Sequence, residues 1–210
     1  MSCDPTIRIL FITCAWLVTA GPAPAQAPPY IGLGDSIGEG VQSGDASQAT
    51  QPYCYIKQIA DTIGAPMPLP LIRSSVIGQV GNLTGRRRID PNLISYNLAV
   101  SGADVHSLIH QRSDAPGPAA FDTETDLVLY PKLGSQLEVA EFIRPPFATC
   151  WIGNNDVLGA AIDFDRLDGS QLTPLDEFRA DFHTIVTRMR DAGIYTIYGT
   201  IPDVTSIAFL

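Results

Sequence analysis

The sequence predicts an α/β fold built on a mostly parallel sheet, and three observations carry that expectation. Short apolar runs of strand length alternate with helical patterns along the chain, which suggests βαβ units. No internal repeat interrupts the alternation. Three of the runs end in polar turns rich in Gly, Ser and Asn, the kind of segment that forms sites at the carboxyl ends of parallel strands. At 210 residues, 45% hydrophobic and 17% charged, the chain suits one ordinary domain with a sizeable core.

Residues 1–27 come before that domain and read as a secretory signal. Arg8 supplies the positive end, Ile9 to Ala20 is an apolar run, and Ala25-Gln26-Ala27 fits a small-residue cleavage site, so a mature chain is expected to start near Pro28. An uncleaved anchor is the other reading of this stretch, but a run of 12 residues falls short of the roughly 17 that a span needs. Cys14 follows Thr13 rather than a small residue and does not look like a lipid-attachment cysteine.

Within residues 28–210 strands are expected near 30–34, 93–99, 147–152 and 194–200. The clearest helix runs from Pro174 to Ala192. Thr173 suits its N-cap and Pro174 its first turn; Leu175, Phe178, Phe182, Ile185, Val186 and Met189 form its apolar stripe, and Gly193 stops it. Shorter helices are expected over 103–111, after Gly102, and from Gln136 to Phe142. Ala65 to Gly85 and Arg112 to Asp122, rich in Pro and Gly, read as surface loops.

Charge and cysteine content exclude several function classes. The formal charge of −9 stays with residues 28–210, because removing 1–27 deletes one acid and one base. Such a surface repels nucleic acid and gains nothing from anionic lipid headgroups. Arg86-Arg87-Arg88, flanked by Gly85 and Asp90, reads as a solvated patch. Cys54 and Cys150 are the cysteines left after cleavage, and one disulfide or two independent buried thiols suit them equally. No Cys/His cluster has metal-ligand spacing, so no metal or organic cofactor is expected.

The chemistry is concentrated in the three turns. Ser36 follows the run Tyr30-Ile31-Gly32-Leu33 in Gly34-Asp35-Ser36-Ile37, where an α/β enzyme presents a nucleophile. The same serine also suits the N-cap of a following helix. Gly102 closes Asn97-Leu98-Ala99-Val100-Ser101-Gly102 and leaves an N–H free to meet a developing negative charge, although a glycine there also serves simple backbone needs. Asn155, in Trp151-Ile152-Gly153-Asn154-Asn155-Asp156, is either a turn former or an amide donor that adds no charge. Gly32-x-Gly34-x-x-x-Gly38 has a dinucleotide-loop look, but Asp35 would put a carboxylate where the pyrophosphate must lie.

Taken in order, the three turns resemble the SGNH, or GDSL, family of serine hydrolases. Gly34-Asp35-Ser36-Ile37 is similar to the family's first block with Ile for the usual Leu, Asn97 to Gly102 to its glycine block, and Gly153-Asn154-Asn155-Asp156 to its Gly-x-Asn-Asp block. The resemblance implies a three-layer α/β/α sandwich of the flavodoxin-like type. It also implies Ser36 as nucleophile, with the Ser36 and Gly102 N–H groups and the Asn155 amide as the oxyanion hole, and Asp35 and Asp156 as supports. Ile201-Pro202-Asp203 looks like the Pro-containing turn after its fourth strand. The implied activity is hydrolysis of small-molecule or lipid esters, with no cofactor.

One departure is plain: the family draws its base from a late Asp-x-x-His block, and no histidine follows His183. The apolar run up to Leu210 looks interrupted, so the domain is expected to be incomplete at its C-terminus, with the last strand and helix missing and the histidine lying beyond residue 210. Without its base such an enzyme loses on the order of 10⁴ to 10⁶ in turnover. His106 and His110 read as exposed helical residues and His183 as a flank residue. A non-catalytic module holding a carbonyl or acyl ligand at Gly102 and Asn155 is the alternative.

Overall fold

The computed structural model describes residues 27–73, 87–162, 165 and 168–203. The signal-like stretch 1–26, residues 74–86 of the first Pro/Gly-rich segment and residues 204–210 lie outside the described residues. In chain order the elements are β1 (Tyr30–Gly34), α1 (Ser36–Glu39), α2 (Tyr55–Thr62), β2 (Ile72–Arg73), β3 (Arg87–Arg88), α3 (Val105–His110), α4 (Glu124–Leu129), α5 (Gln136–Ile143), β4 (Phe147–Trp151), α6 (Asn155–Ile162), α7 (Leu175–Asp191) and β5 (Tyr195–Tyr198). β2 and β3 make a small antiparallel pair.

β1, β4 and β5 form a parallel sheet in that order, with Gly34 opposite Trp151 and Phe147 opposite Tyr195. A fourth segment runs along the other side of β1. Gly32 donates to the Tyr96 carbonyl at 3.0 Å, and the Leu98 and Val100 N–H groups donate to Gly32 and Gly34 at 2.7 and 3.1 Å. The strand expected over 93–99 is thereby reduced to one bridge, Gly32 to Asn97. Its outward backbone groups are taken by local side chains: Ser95 Oγ donates to the Asn97 carbonyl at 2.6 Å, and Asn97 Oδ1 accepts from the Ala99 N–H at 3.1 Å. Such bonds compete with a ladder and blunt an edge that would otherwise invite another strand. Counting this segment second in the chain, the spatial order is 2-1-3-4, the flavodoxin-like arrangement.

The period of two along each strand creates two cores. Ile31, Leu33, Leu98, Val100, Ala148, Cys150 and Ile152 point to one face, where Leu108, Leu137, Ile185 and Met189 of α3, α5 and α7 cover them. Tyr30, Ala99 and Phe147 point to the other face, against Cys54, Ile56 and Ala60 at the start of and along α2. Burying each of the larger aliphatic side chains is worth about 1.5–3 kcal/mol. The sheet is therefore covered on both faces, as an α/β/α sandwich requires. Cys54 and Cys150 are free and buried, one in each core. Burial pushes the Cys150 thiol up to about 12.

Several expectations need correction. α7 starts one residue later than its pattern suggests, because Pro174 occupies the cap position with no side-chain cap, and Leu175 is 61% exposed rather than in the stripe. α2, α4 and α6 were not legible as helices. Arg88 is 6% exposed and not part of a solvated patch. Its guanidinium donates to the carbonyls of Leu127, Val128 and Tyr130 at 2.9–3.2 Å and of Leu93 at 2.8 Å, closing the C-terminal end of α4.

Candidate active site

In a doubly wound sheet the crevice opens outside the carboxyl ends of the strands where the winding reverses, here at β1 and β4. The turn after β1 is shaped by Gly34. Its φ of +148° and the 2.4 Å that would separate an added Cβ from the Trp151 carbonyl leave no room for another residue. Both of its backbone groups are held by one buried amide: Gly34 N–H donates to Gln136 Oε1 and Gln136 Nε2 donates to the Gly34 carbonyl, each at 2.9 Å.

Asp35, not Ser36, caps α1. Its Oδ1 accepts from the Ile37 N–H at 3.0 Å, and its Oδ2 accepts from Asn154 Nδ2 at 2.6 Å. The capping role open to Ser36 is thus filled by its neighbour. The Ser36 hydroxyl is half-buried and makes no hydrogen bond among the described residues. Burial pushes the Asp35 carboxyl above the usual range, and the bonds from Asn154 and Ile37 offset only part of that.

The other two turns are tied to this one. Glu39 of α1, fully buried, accepts from the Ser101 N–H at 2.7 Å and from the Ser101 hydroxyl at 2.5 Å. Asn97 Nδ2 donates to the Gly38 carbonyl at 2.8 Å. Gly102 follows with φ +81° and is exposed, with open space where a Cβ would stand. Its N–H has no acceptor among the described residues. Asn155 opens α6 and gives one N–H of its amide to the Ala103 carbonyl at 2.7 Å. A primary amide has two such hydrogens, so a second donor remains. Asp156 Oδ2 accepts from the Val105 N–H at 3.1 Å, and its carbonyl accepts from the Thr173 N–H at 3.0 Å. Desolvation raises the Asp156 carboxyl too.

The bonds Asp35 to Asn154, Asn155 to Ala103 and Glu39 to Ser101 close a ring through all three turns. Asn155 belongs to that ring, and Ser36 and Gly102 each adjoin a member of it in sequence, so the three turns that carry the expected residues are tied to one another. Chemically, the three turns carry an unengaged hydroxyl and neutral N–H donors, group types that can attack a carbonyl and hold an oxyanion. A family model described as GDSL-like Lipase/Acylhydrolase matches residues 30–208. The chain belongs to this family. No curated protein and no solved structure matches it.

Two residues of this GDSL-family site escaped the sequence reading. Glu39 was not singled out, and Gln136 lies 102 positions from the Gly34 it holds; neither carries a local signal. The histidines fall outside the ring. His106 Nδ1 stands 3.0 Å from Asp181 Oδ2, its ring centroid is 4.3 Å from that of His110, and His183 is exposed on α7. None bonds Ser36 among the described residues.

Proposed function

We propose that the protein is a secreted or periplasmic acylhydrolase that cleaves small-molecule or lipid carboxylic esters through Ser36. In this reading Ser36 Oγ attacks the ester carbonyl and the oxyanion is held by the Ser36 and Gly102 N–H groups and by the second N–H of Asn155. A histidine takes the serine proton and returns it to the leaving alcohol. Export is supported by the Arg8, Ile9–Ala20 and Ala25-Gln26-Ala27 pattern of the sequence. After cleavage the protein carries no membrane span in this reading; among the described residues no helix is long and apolar enough to cross a membrane.

The observation that carries the reading is the 2.6 Å bond from Asn154 to Asp35, which sets the amide block of β4 beside the serine turn of β1. Labelling with a fluorophosphonate probe, located by mass spectrometry, tests it. In the protein carrying its histidine base, label is expected on Ser36, and Ser36→Ala is expected to abolish it and to lower ester hydrolysis by on the order of 10⁴ to 10⁶. Label that survives the substitution ends the proposal.

A second reading, a non-catalytic module that holds a carbonyl or acyl ligand at the same donors, is favoured by one fact: no histidine bonds the Ser36 hydroxyl among the described residues. Absence of phosphonate label together with saturable binding of a fatty carboxylate, lost in Asn155→Ala, selects it.

A further inference from the structure

We infer that His106, His110 and Asp181 form a surface site for one transition-metal dication of the zinc class, joining α3 to α7. His106 and His110 are four residues apart on α3, so their imidazoles share one face of the helix. α7 lies against that face and contributes Asp181. One ligand atom from each of the three side chains falls within 4.8 Å of the other two. In a tetrahedral centre with metal–ligand bonds of about 2.0–2.2 Å, neighbouring ligand atoms stand roughly 3.3–3.5 Å apart. His106 Nδ1 and Asp181 Oδ2 already stand at 3.0 Å. The remaining adjustment falls on His110, which is exposed and turns without disturbing the core.

The donor set selects the ion. Two imidazoles and one carboxylate suit zinc, iron(II), cobalt, nickel or copper, whereas calcium and magnesium prefer oxygen alone. A simple ion pair accounts for His106 and Asp181 but gives no reason for a second imidazole with its ring 4.3 Å from the first. A fourth position is open to water on the exposed side. The site is separate from the serine ring, yet α3 begins at Val105, shortly after Gly102, so a bound ion would fasten the helix that follows the candidate oxyanion turn to α7.

Calorimetric titration of tag-free, chelator-treated protein with Zn²⁺ is the test, with the visible absorption of bound Co²⁺ as a second readout. One ion per chain is expected, together with the intense Co²⁺ bands of a four-coordinate site. His106→Ala and His110→Ala should each weaken binding at least about tenfold, since even outer-sphere partners of metal ligands are worth 10–100-fold. His183→Ala, an exposed histidine of α7 outside the cluster, should leave it unchanged. Saturable uptake that survives the double substitution of His106 and His110, or no saturable uptake at all, overturns the inference. Both histidines are exposed, so circular dichroism of the variants is expected to match that of the parent.

Discussion

Two regions of the protein bury a carboxylate, and they treat it in opposite ways. Around α4 the charges have many partners, although the Nε of Arg88 has none among the described residues and burial lowers its guanidinium to about 10. Asp126, 1% exposed, accepts from the hydroxyls of Ser113 and Thr123 at 2.9 Å and, more weakly, from the N–H groups of Ala115 and Asp122 at 3.4 Å. Burial alone would raise this carboxyl, but the four donors outweigh it and hold it below the usual range. At the other end of the same helix Arg88 spends its guanidinium on four carbonyls. Around Ser36 the donors are fewer. Asp35 is as little exposed but packed more deeply, has two bonds, and burial pushes its carboxyl up. The α4 clamp is built for stability, while the serine turn keeps donors unengaged at the expense of comfort for its carboxylates, as reactive sites commonly do.

The largest effect in this comparison should come from Arg88→Ala. It leaves two buried and two partly buried carbonyls without their charged donor and is expected to destabilise the fold by about 3–4 kcal/mol, read from urea unfolding. A loss under about 1 kcal/mol would show that water replaces the guanidinium and that the clamp is not structural. Asp126→Ala ranks next. It strands two hydroxyls and two N–H groups, two of which are held at only 3.4 Å, so about 2–3 kcal/mol is expected by the same measurement. In both variants hydrolysis at a temperature where the protein stays folded should be nearly unchanged, because neither side chain belongs to the serine ring.

The two regions also differ in how much of them the sequence discloses. The serine turn was legible because its residues are consecutive and follow apolar runs: Gly34-Asp35-Ser36-Ile37 needs no partner to be noticed. Its division of labour was not, since Ser36 alone suits a cap and only the Ile37 N–H bond to Asp35 gives that role to its neighbour. The α4 clamp was invisible. Arg88 stands in a basic run that composition assigns to solvent, and its acceptors lie 5 to 42 positions away. α4 itself, six residues long, is too short for a helical period to emerge. The α3–α7 histidine cluster was missed for the same reason: the pair at 106 and 110 has helical spacing, but Asp181 lies 75 positions from His106. What was legible is what is local, and the edge segment near Asn97 was over-read because apolar composition does not reveal that Ser95 and Asn97 satisfy its outer side themselves.

The smallest effect, and the one that sharpens the comparison most, is Asp35→Asn. The amide is nearly isosteric, keeps an acceptor for the Ile37 N–H, and donates to Asn154 once that amide turns over to present its oxygen, which has no partner among the described residues. It also removes a charge that burial disfavours, so at about pH 7 it should cost less than about 1 kcal/mol. Its pH dependence must run opposite to that of Asp126→Asn. A carboxyl raised in the folded state takes up its proton more readily there than in the unfolded chain, so wild-type stability from Asp35 improves as pH falls through the raised value toward the ordinary value near 4. The cost of Asp35→Asn should therefore grow on acidification. A carboxyl held low contributes stability above about pH 4 that is lost as pH falls through its depressed value, so the cost of Asp126→Asn should shrink below that point. Denaturant titrations of both variants across that interval give two curves of opposite slope if donor count governs each region. Parallel curves would mean that burial alone sets both carboxyls, and the contrast between clamp and site would disappear.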